Sequence, residues 1–295
     1  FRRVLFRSGF EKNHDSQADL TLIRFIFRAF GQACATLGCE DEQRELLDDI
    51  AEVLAHFPDN PTVDTPDGPV WVAVPDGDAD LVHNCPASTM TIFPGEEVGL
   101  HSSSDDLALA RRTLTIQQNE GGNELVFLNL QKARAGVLDL DKFKRQVHYC
   151  TLPNGSCADM VLQTKGRYIE EMKFEFMAEM GIWLENFALP AVINECLMQS
   201  WDGVIHLFPN WPAKKTGAFE NLRAVGAFLV SAEHRDGQIS NVRITSEAGG
   251  ECRLISPWTD RAVRITGGPA KQTLDPAEVL TFTTKPGQRF WVEPI

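Results

Sequence analysis

A carboxylate followed at once by a primary amide, Glu185-Asn186, stands just ahead of an apolar helical run that begins near Ala188. A carboxylate so placed can act as a general base, taking a proton from water while the adjacent amide orients the water or the carboxylate itself. Burial and a hydrogen-bonding neighbour tune such a group. The plainer alternative is that Glu185 only complements the positive end of the following helix, worth a few tenths to about 1 kcal/mol. A second polar group lies upstream, where His83 and Asn84 fall in a long irregular stretch. They can hydrogen-bond a ligand hydroxyl, or be ordinary surface or packing residues. Asn194 and Glu195 sit in the middle of an apolar helix, where satisfying nearby backbone or lining a cavity is the simpler role. Asp48-Asp49 and Asp105-Asp106 read as solvated helix residues, and Asp202-Gly203 as a turn.

The elements that would position these groups change character along the chain. Leu22, Ile23, Ile26, Phe27, Phe30, Ala33 and Cys34 recur at helical spacing, with Gly38 as a stop. Leu46, Leu47, Ile50, Val53, Leu54 and Phe57 predict a second helix closed by Pro58. Short connections between amphipathic helices predict antiparallel neighbours. Residues 58–103 then break the pattern, and a long loop inside a compact domain is usually functional. Ser103 with Asp106 three residues on predicts a helix start. Further helices are expected over roughly 124–135, 139–149 and 188–200, the last with Leu189, Val192, Ile193, Cys196 and Leu197 as its buried stripe. After about residue 203 the period shortens to short apolar runs separated by Asp236-Gly237, Gly249-Gly250, Gly267-Gly268 and Pro286-Gly287. That pattern predicts an all-β region.

Composition narrows the function classes. A formal net charge of −13 predicts solubility and repulsion from phosphate backbones, which argues against a nucleic-acid partner. No apolar run is read as approaching the length of a membrane span, so no membrane insertion is expected. The seven cysteines form no C-x-x-C pair and the histidines are scattered, so neither a metal site nor a cofactor is expected. Cys150 and Cys157 bracket Pro153-Asn154-Gly155 and can bridge; a simpler reading leaves both as thiols in or near helices. The first eight residues, FRRVLFRS, resemble translated adapter sequence at the ends of metagenomic assemblies, and are set aside as non-native. On that reading the natural protein is expected to extend upstream.

Several strings together carry a family resemblance. Trp183 to Pro190 runs into Ile193-Asn194-Glu195-Cys196-Leu197-Met198-Gln199-Ser200, then Asp202 to Pro212 with its Leu207-Phe208-Pro209-Asn210-Trp211-Pro212 step. Asn221-Leu222-Arg223-Ala224-Val225-Gly226-Ala227-Phe228 follows, and upstream stand His83-Asn84-Cys85 and Phe93-Pro94-Gly95. Their order and spacing over about residues 15–245 resemble glycoside hydrolases of family 95, whose members include α-L-fucosidases.

The resemblance implies a mainly α plus β fold: the later helices of a partial (α/α)6 toroid followed by a C-terminal β-sandwich-like domain. Residues 1–8 would be the adapter-like segment, 9–203 the toroid portion and 204–295 the β domain. It also implies an inverting hydrolase of α-linked sugars in glycans, with a periplasmic or secreted location. Inverting enzymes need two carboxyl groups far enough apart to admit a water. The family's water-activating Asp falls on Leu184, leaving Glu185 one residue on and Asn186 matched to the family Asn. The family's His-Arg-His becomes His83-Asn84-Cys85, which keeps its first His. Glu11 is too near the first helix to match the family's general acid, which is expected to lie outside this sequence. Glu185 and Asn186 are therefore the catalytic candidates, and His83, Asn84 and Trp183 the substrate-binding ones. Trp183, Trp201 and Trp211 offer planes suited to the C–H faces of sugar rings; packing is the alternative for each, and the preferred one for Trp211. Two other readings stay open: a non-catalytic relative that kept the toroid and lost the site, and a carbohydrate-binding module in the β domain.

Overall fold

The computed structural model describes residues 14–79, 86–117, 122–155, 187–268 and 271–295. The chain mixes helix and strand, with a sheet-rich C-terminal region. It divides into two units, one up to Leu189 and one from Pro190 to Ile295.

The N-terminal unit opens with α1 (Gln17–Leu37), whose start and stop follow the sequence. The Ser16 hydroxyl accepts from the Asp19 amide at 3.2 Å and donates to the Asp19 carboxylate at 2.7 Å. Gly38, at φ 66°, lets the chain turn out of the helix while the Cys39 amide reaches the Cys34 carbonyl. Of the expected inward stripe Cys34 alone is buried. Leu22, Ile23 and Ile26 are exposed, Ile26 by 60%, whereas Gln17, Ala18, Leu20, Thr21 and Cys34 are buried. The apolar face of α1 and the face it buries therefore differ. By length and composition α1 also meets the requirement for a membrane span, which corrects the expectation that no run approaches it. Helices of protein cores and N-terminal signal sequences pass the same test. α2 (Arg44–Ala55) is likewise without a buried residue.

The irregular stretch contains an unexpected hairpin, β1 (Thr62–Thr65) paired antiparallel with β2 (Gly68–Trp71). Gly68 takes φ 109° at its turn, a conformation open to glycine. The Trp71 amide donates to the Thr113 hydroxyl at 3.0 Å and fixes the hairpin to α3 (Ser104–Ile116). Ser103 caps α3 as expected, accepting from the Asp106 amide at 3.1 Å. α4 (Gly122–Arg134) ends beside Gly136 at φ 70°, and α5 (Leu140–Cys150) buries Leu140, Phe143 and Gln146. Trp71, Ile92, Val98, Ala110, Leu114, Leu128 and Ala135 pack into one apolar cluster. Cys150 is a buried thiol 3.2 Å from the Val147 carbonyl; Cys157, with which it could bridge, lies outside the described residues.

α6 (Leu189–Leu197) leads into the C-terminal unit. Val192 and Cys196 are fully buried, Leu189 and Leu197 nearly so, matching the predicted stripe apart from half-buried Ile193. The helix stops at Leu197 and the chain continues as β3 (Met198–Gln199), paired with β4 (His206–Leu207). Eight further strands follow: β5 (Gly217–Ala224), β6 (Phe228–Arg235), β7 (Gln238–Ser246), β8 (Gly250–Ile255), β9 (Val263–Thr266), β10 (Gln272–Leu274), β11 (Val279–Thr284) and β12 (Arg289–Pro294). Six of them form one sheet in the order β10-β9-β12-β7-β6-β5, and β11 pairs with β8. Asp236-Gly237, at φ 51° and 76°, makes the two-residue β6–β7 turn that its sequence predicts. Alternate residues of β6, β7, β12 and β9 point inward, among them Val230, Ile244, Phe290, Val292, Val263 and Ile265. They meet Cys252, Leu254, Leu280 and Phe282 of the smaller sheet, with Phe282 and Phe290 rings 5.2 Å apart. Phe208, Trp211 and Phe228 all belong to this same core.

Candidate functional site

Glu185, Asn186, Trp183, His83 and Asn84 all lie outside the described residues. The segments that adjoin them are described. The one following His83-Asn84-Cys85 is the better anchored.

From Pro86 a 3-10 turn (Ala87–Thr89) leads into Phe93-Pro94-Gly95, and Ser88, Thr89, Met90, Thr91 and Ile92 are all buried. A buried irregular backbone needs partners for its polar groups, and two helices supply them. On α4 the wholly buried Gln131 accepts from the Thr89 hydroxyl at 2.6 Å and donates to the Phe93 carbonyl at 2.9 Å. One turn further along, Arg134 pairs with Glu96 at 3.1 Å and lays its guanidinium 5.0 Å from the Phe93 ring centre. On α1 Arg28 donates to the Gly95 carbonyl at 2.7 Å. Arg24 forks onto Glu97 at 2.7 and 3.1 Å, a bidentate pair that fixes direction as well as distance. Gly95 is required by space: a Cβ there would stand 2.2 Å from Thr21 Cγ2 and 2.8 Å from the Met90 carbonyl oxygen. The backbone closes on itself through Gly95 N–H to Met90 O and Glu97 and Val98 N–H to Thr91 O.

Near this turn lie three buried polar side chains, Gln17, Thr21 and Thr91, that find no hydrogen-bond partner among the described residues. Gln17 and Thr21 are one turn apart on α1, and Thr21 and Thr91 both approach Gly95. Chemically the arrangement is a rigid seat. It holds residues 89–97 in one place, with amide and hydroxyl groups beside them.

After Asn186, Phe187 is 70% exposed and α6 begins two residues later. Asn194 is exposed on α6, and the Glu195 carbonyl accepts from the buried Gln199 side chain at 3.0 Å. Asp202-Gly203 is a turn: the Asp202 carboxylate accepts from the Val204 amide at 3.2 Å and Gly203 takes φ 79°. Trp211 packs as the sequence favoured. Its indole N–H donates to the Lys215 carbonyl at 3.1 Å, and its ring lies so close to Gly217 that a Cβ there would stand 2.8 Å from Cε2. Burial pushes the Cys196 thiol up to about 12, with Asn210 pulling against that shift.

Arg24, Arg28, Gln131 and Arg134 carry no local motif in the sequence; the visible signal is Gln131, a large amide directly after the apolar run Leu125-Val126-Phe127-Leu128 to Leu130 of a helix.

Comparison with known proteins bears on the C-terminal unit. Residues 199–292 match the family described as glycoside hydrolase family 95, C-terminal domain. That match covers the strings Met198 to Trp211 and Asn221 to Phe228 almost entirely, and meets the resemblance read from the sequence there. The C-terminal unit is thus related to a domain of glycoside hydrolases. Among solved structures, the chain is similar to Ara127N-Se, a GH127 β-L-arabinofuranosidase from Geobacillus stearothermophilus T6, at 12% identity and a TM-score of 0.25. The similarity covers 91% of this chain and 41% of that one, so the chain spans about two fifths of the length of that protein. No curated protein matches the chain.

Proposed function

We propose that this chain is part of a glycoside hydrolase that cleaves α-linked sugars from glycans, α-L-fucosidase-like and inverting. The observation that carries the proposal is the family 95 C-terminal domain match over residues 199–292. In this reading residues 9–203, with the described N-terminal helices, are the C-terminal portion of an (α/α)6 toroid, and residues 204–295 form a sandwich-like β domain. Glu185 is the general base, Asn186 orients the water or the carboxylate, His83 and Asn84 hydrogen-bond sugar hydroxyls, and Trp183 stacks on a sugar face.

The seat around Phe93-Pro94-Gly95 supports the roles of His83 and Asn84. A residue that recognises a hydroxyl must be held within a fraction of an ångström, and such precision comes from rigid supporting contacts. Downstream of that pair, Thr89, Phe93 and Gly95 to Glu97 are held by four side chains from two helices. The general acid is assigned to a segment outside these 295 residues, and the chain by itself is expected to be inactive. Neither a metal nor a cofactor takes part, and the substrate is an oligosaccharide or glycan.

The test compares the chain alone with a version that carries the acid-bearing segment, on a panel of aryl α-glycosides. The reading expects aryl release only from the longer protein, greatest with the α-L-fucoside, and a first-formed sugar of inverted anomeric configuration by NMR. Release by the 295-residue chain well above blank would overturn the acid assignment. A retained configuration would overturn the mechanism.

A further inference from the structure

The outer face of the six-stranded sheet carries a group of residues that neither the core nor the proposed catalysis uses. On β12, Phe290 and Val292 point inward and are 1% and 2% exposed, so Arg289 and Trp291 point outward. Trp291 stands opposite Arg243 on β7 and Thr266 on β9, and Arg289 opposite Thr245. On β6, Ser231 and Leu229 face those same β7 residues. The β5 register shifts between Phe219 and Leu222, where Glu220 and Asn221 together stand against the single residue Ser231, and both line this face. Asn221 takes φ 54° and its amide donates to the Ser231 hydroxyl at 3.0 Å, while Glu220 accepts from Arg243 at 3.1 Å. Together Glu220, Asn221, Ser231, Arg243, Arg289 and Trp291 surround a depression of about 450 Å³. That lies within the range of small-molecule sites, about 300–1,000 Å³.

Trp291 gives the depression its character. It belongs to a strand with neighbours on both sides, yet its side chain is 49% exposed. Its ring is not loose. A Cβ on Gly267 would stand 2.7 Å from Cε3 and Cζ3, so the six-membered ring lies against bare backbone and is seated by it. A bulkier residue at Gly267 would push the ring away. An aromatic plane fixed on one side and open on the other binds with little further loss of rotamer freedom. Around it stand donor-only guanidinium groups, an acceptor-only carboxylate and an amide that does both. Arg289 lines the depression and makes no ion pair among the described residues.

A pyranose fits this chemistry: an apolar C–H face for the indole, and a rim of hydroxyls that both donate and accept. Glu220 balances Arg243 and leaves Arg289 as an unbalanced cation at the rim. The chain as a whole carries −13, however, which disfavours polyanions and leaves a neutral pyranose as the better fit.

We propose that the outer face of this sheet, around Trp291, is a glycan-binding subsite that takes a neutral pyranose unit stacked on the indole. The inference stands on the C-terminal unit alone and does not require Glu185 to be a base. The test is affinity electrophoresis of the 295-residue chain in gels containing hydroxyethylcellulose, galactomannan or dextran, with polygalacturonate as the acidic comparison. Retardation by at least one neutral polysaccharide is expected. Its dissociation constant should rise at least tenfold in Trp291→Ala and distinctly less in Trp291→Phe, which keeps a plane. Arg289→Ala, at a solvent-facing position, should weaken binding several-fold and serves if Trp291→Ala does not fold. Arg264→Ala, on the same sheet outside the depression, should change nothing. The proposal is overturned if no neutral polysaccharide retards the protein, if only polygalacturonate does, or if retardation survives both Trp291→Ala and Arg289→Ala.

Discussion

Replacing Gln131 by Leu should loosen the seat around Phe93-Pro94-Gly95 while leaving the C-terminal unit untouched. The substitution keeps nearly the same volume in a wholly buried position, so packing changes little. Two hydrogen bonds disappear. The Thr89 hydroxyl keeps an alternative acceptor, the Pro86 carbonyl at 3.2 Å, so that loss is an ordinary one of about 0.5–1.5 kcal/mol. The Phe93 carbonyl loses its side-chain donor inside the protein, at about 1–3 kcal/mol. Removing a buried amide that itself had to be desolvated offsets part of the sum. The expected net cost is about 1–3 kcal/mol, localised to one segment. Hydrogen exchange resolves it, because local opening is read residue by residue. The amides of Gly95 and Val98, bonded to Met90 and Thr91, should exchange roughly 5- to 100-fold faster in the variant, since about 1.4 kcal/mol is tenfold. Those of Val230 and Ile244 in the large sheet should keep their wild-type rates. Thr89→Val, which removes the Thr89 hydroxyl's bonds but keeps the Gln131 donor to the Phe93 carbonyl, should show the smaller effect. Unchanged exchange at Gly95 and Val98 in a folded Gln131→Leu protein would refute the idea that this amide holds the segment.

Three further outcomes follow from packing and burial. Phe290→Ala removes a 1% exposed ring that meets Phe282, and should destabilise the C-terminal unit by about 3–5 kcal/mol in urea denaturation. Burial raises the Cys196 and Cys252 thiols from 9.0 to about 12, so the fold keeps both neutral while the unfolded chain ionises them near 9. Their contribution is therefore complete below pH 9 and is lost as pH rises towards 12, by at most about 1.4 kcal/mol per unit for each. A thiol-specific dye should accordingly label half-buried Cys39 in the native protein, but neither of these two until denaturant is added. Finally, Leu22, Ile23, Phe25 and Ile26 leave an apolar strip on α1 open. Sedimentation should show concentration-dependent self-association that Ile26→Lys reduces.

Local signals explain what could be read ahead of the structure. Ser103-x-x-Asp106, Gly38 and Asp236-Gly237 fix their turns and caps through groups only a few residues apart, and the structure has each where the spacing put it. Period-two apolar runs likewise gave β6, β7, β8, β9, β11 and β12, because one face of each is buried. The hairpin of β1 and β2 was missed: four-residue strands carry too little periodicity, and what holds it is a hydrogen bond to Thr113 on α3. The inward face of α1 was misread for a related reason. Its large apolar residues mark one stripe, while the contacts of this chain bury Gln17 and Thr21 instead. The seat at Gly95 depends on Arg24, Arg28, Gln131 and Arg134, scattered over more than a hundred positions, and no local pattern links them. The Trp291 face was visible only in part, as Arg289-Phe290-Trp291-Val292 alternation; Glu220 and Asn221 join it through a register shift that sequence does not announce.

The most direct test of the account is the turnover number of the protein carrying the acid-bearing segment, on an aryl α-L-fucoside, compared with its Glu185→Gln variant. A general base contributes roughly 10²–10⁴-fold. The account predicts that kcat falls by that factor while KM and the melting temperature stay close to wild type. Equal kcat in the two proteins would contradict the assignment of Glu185, and no turnover in either would favour a relative that has lost its chemistry.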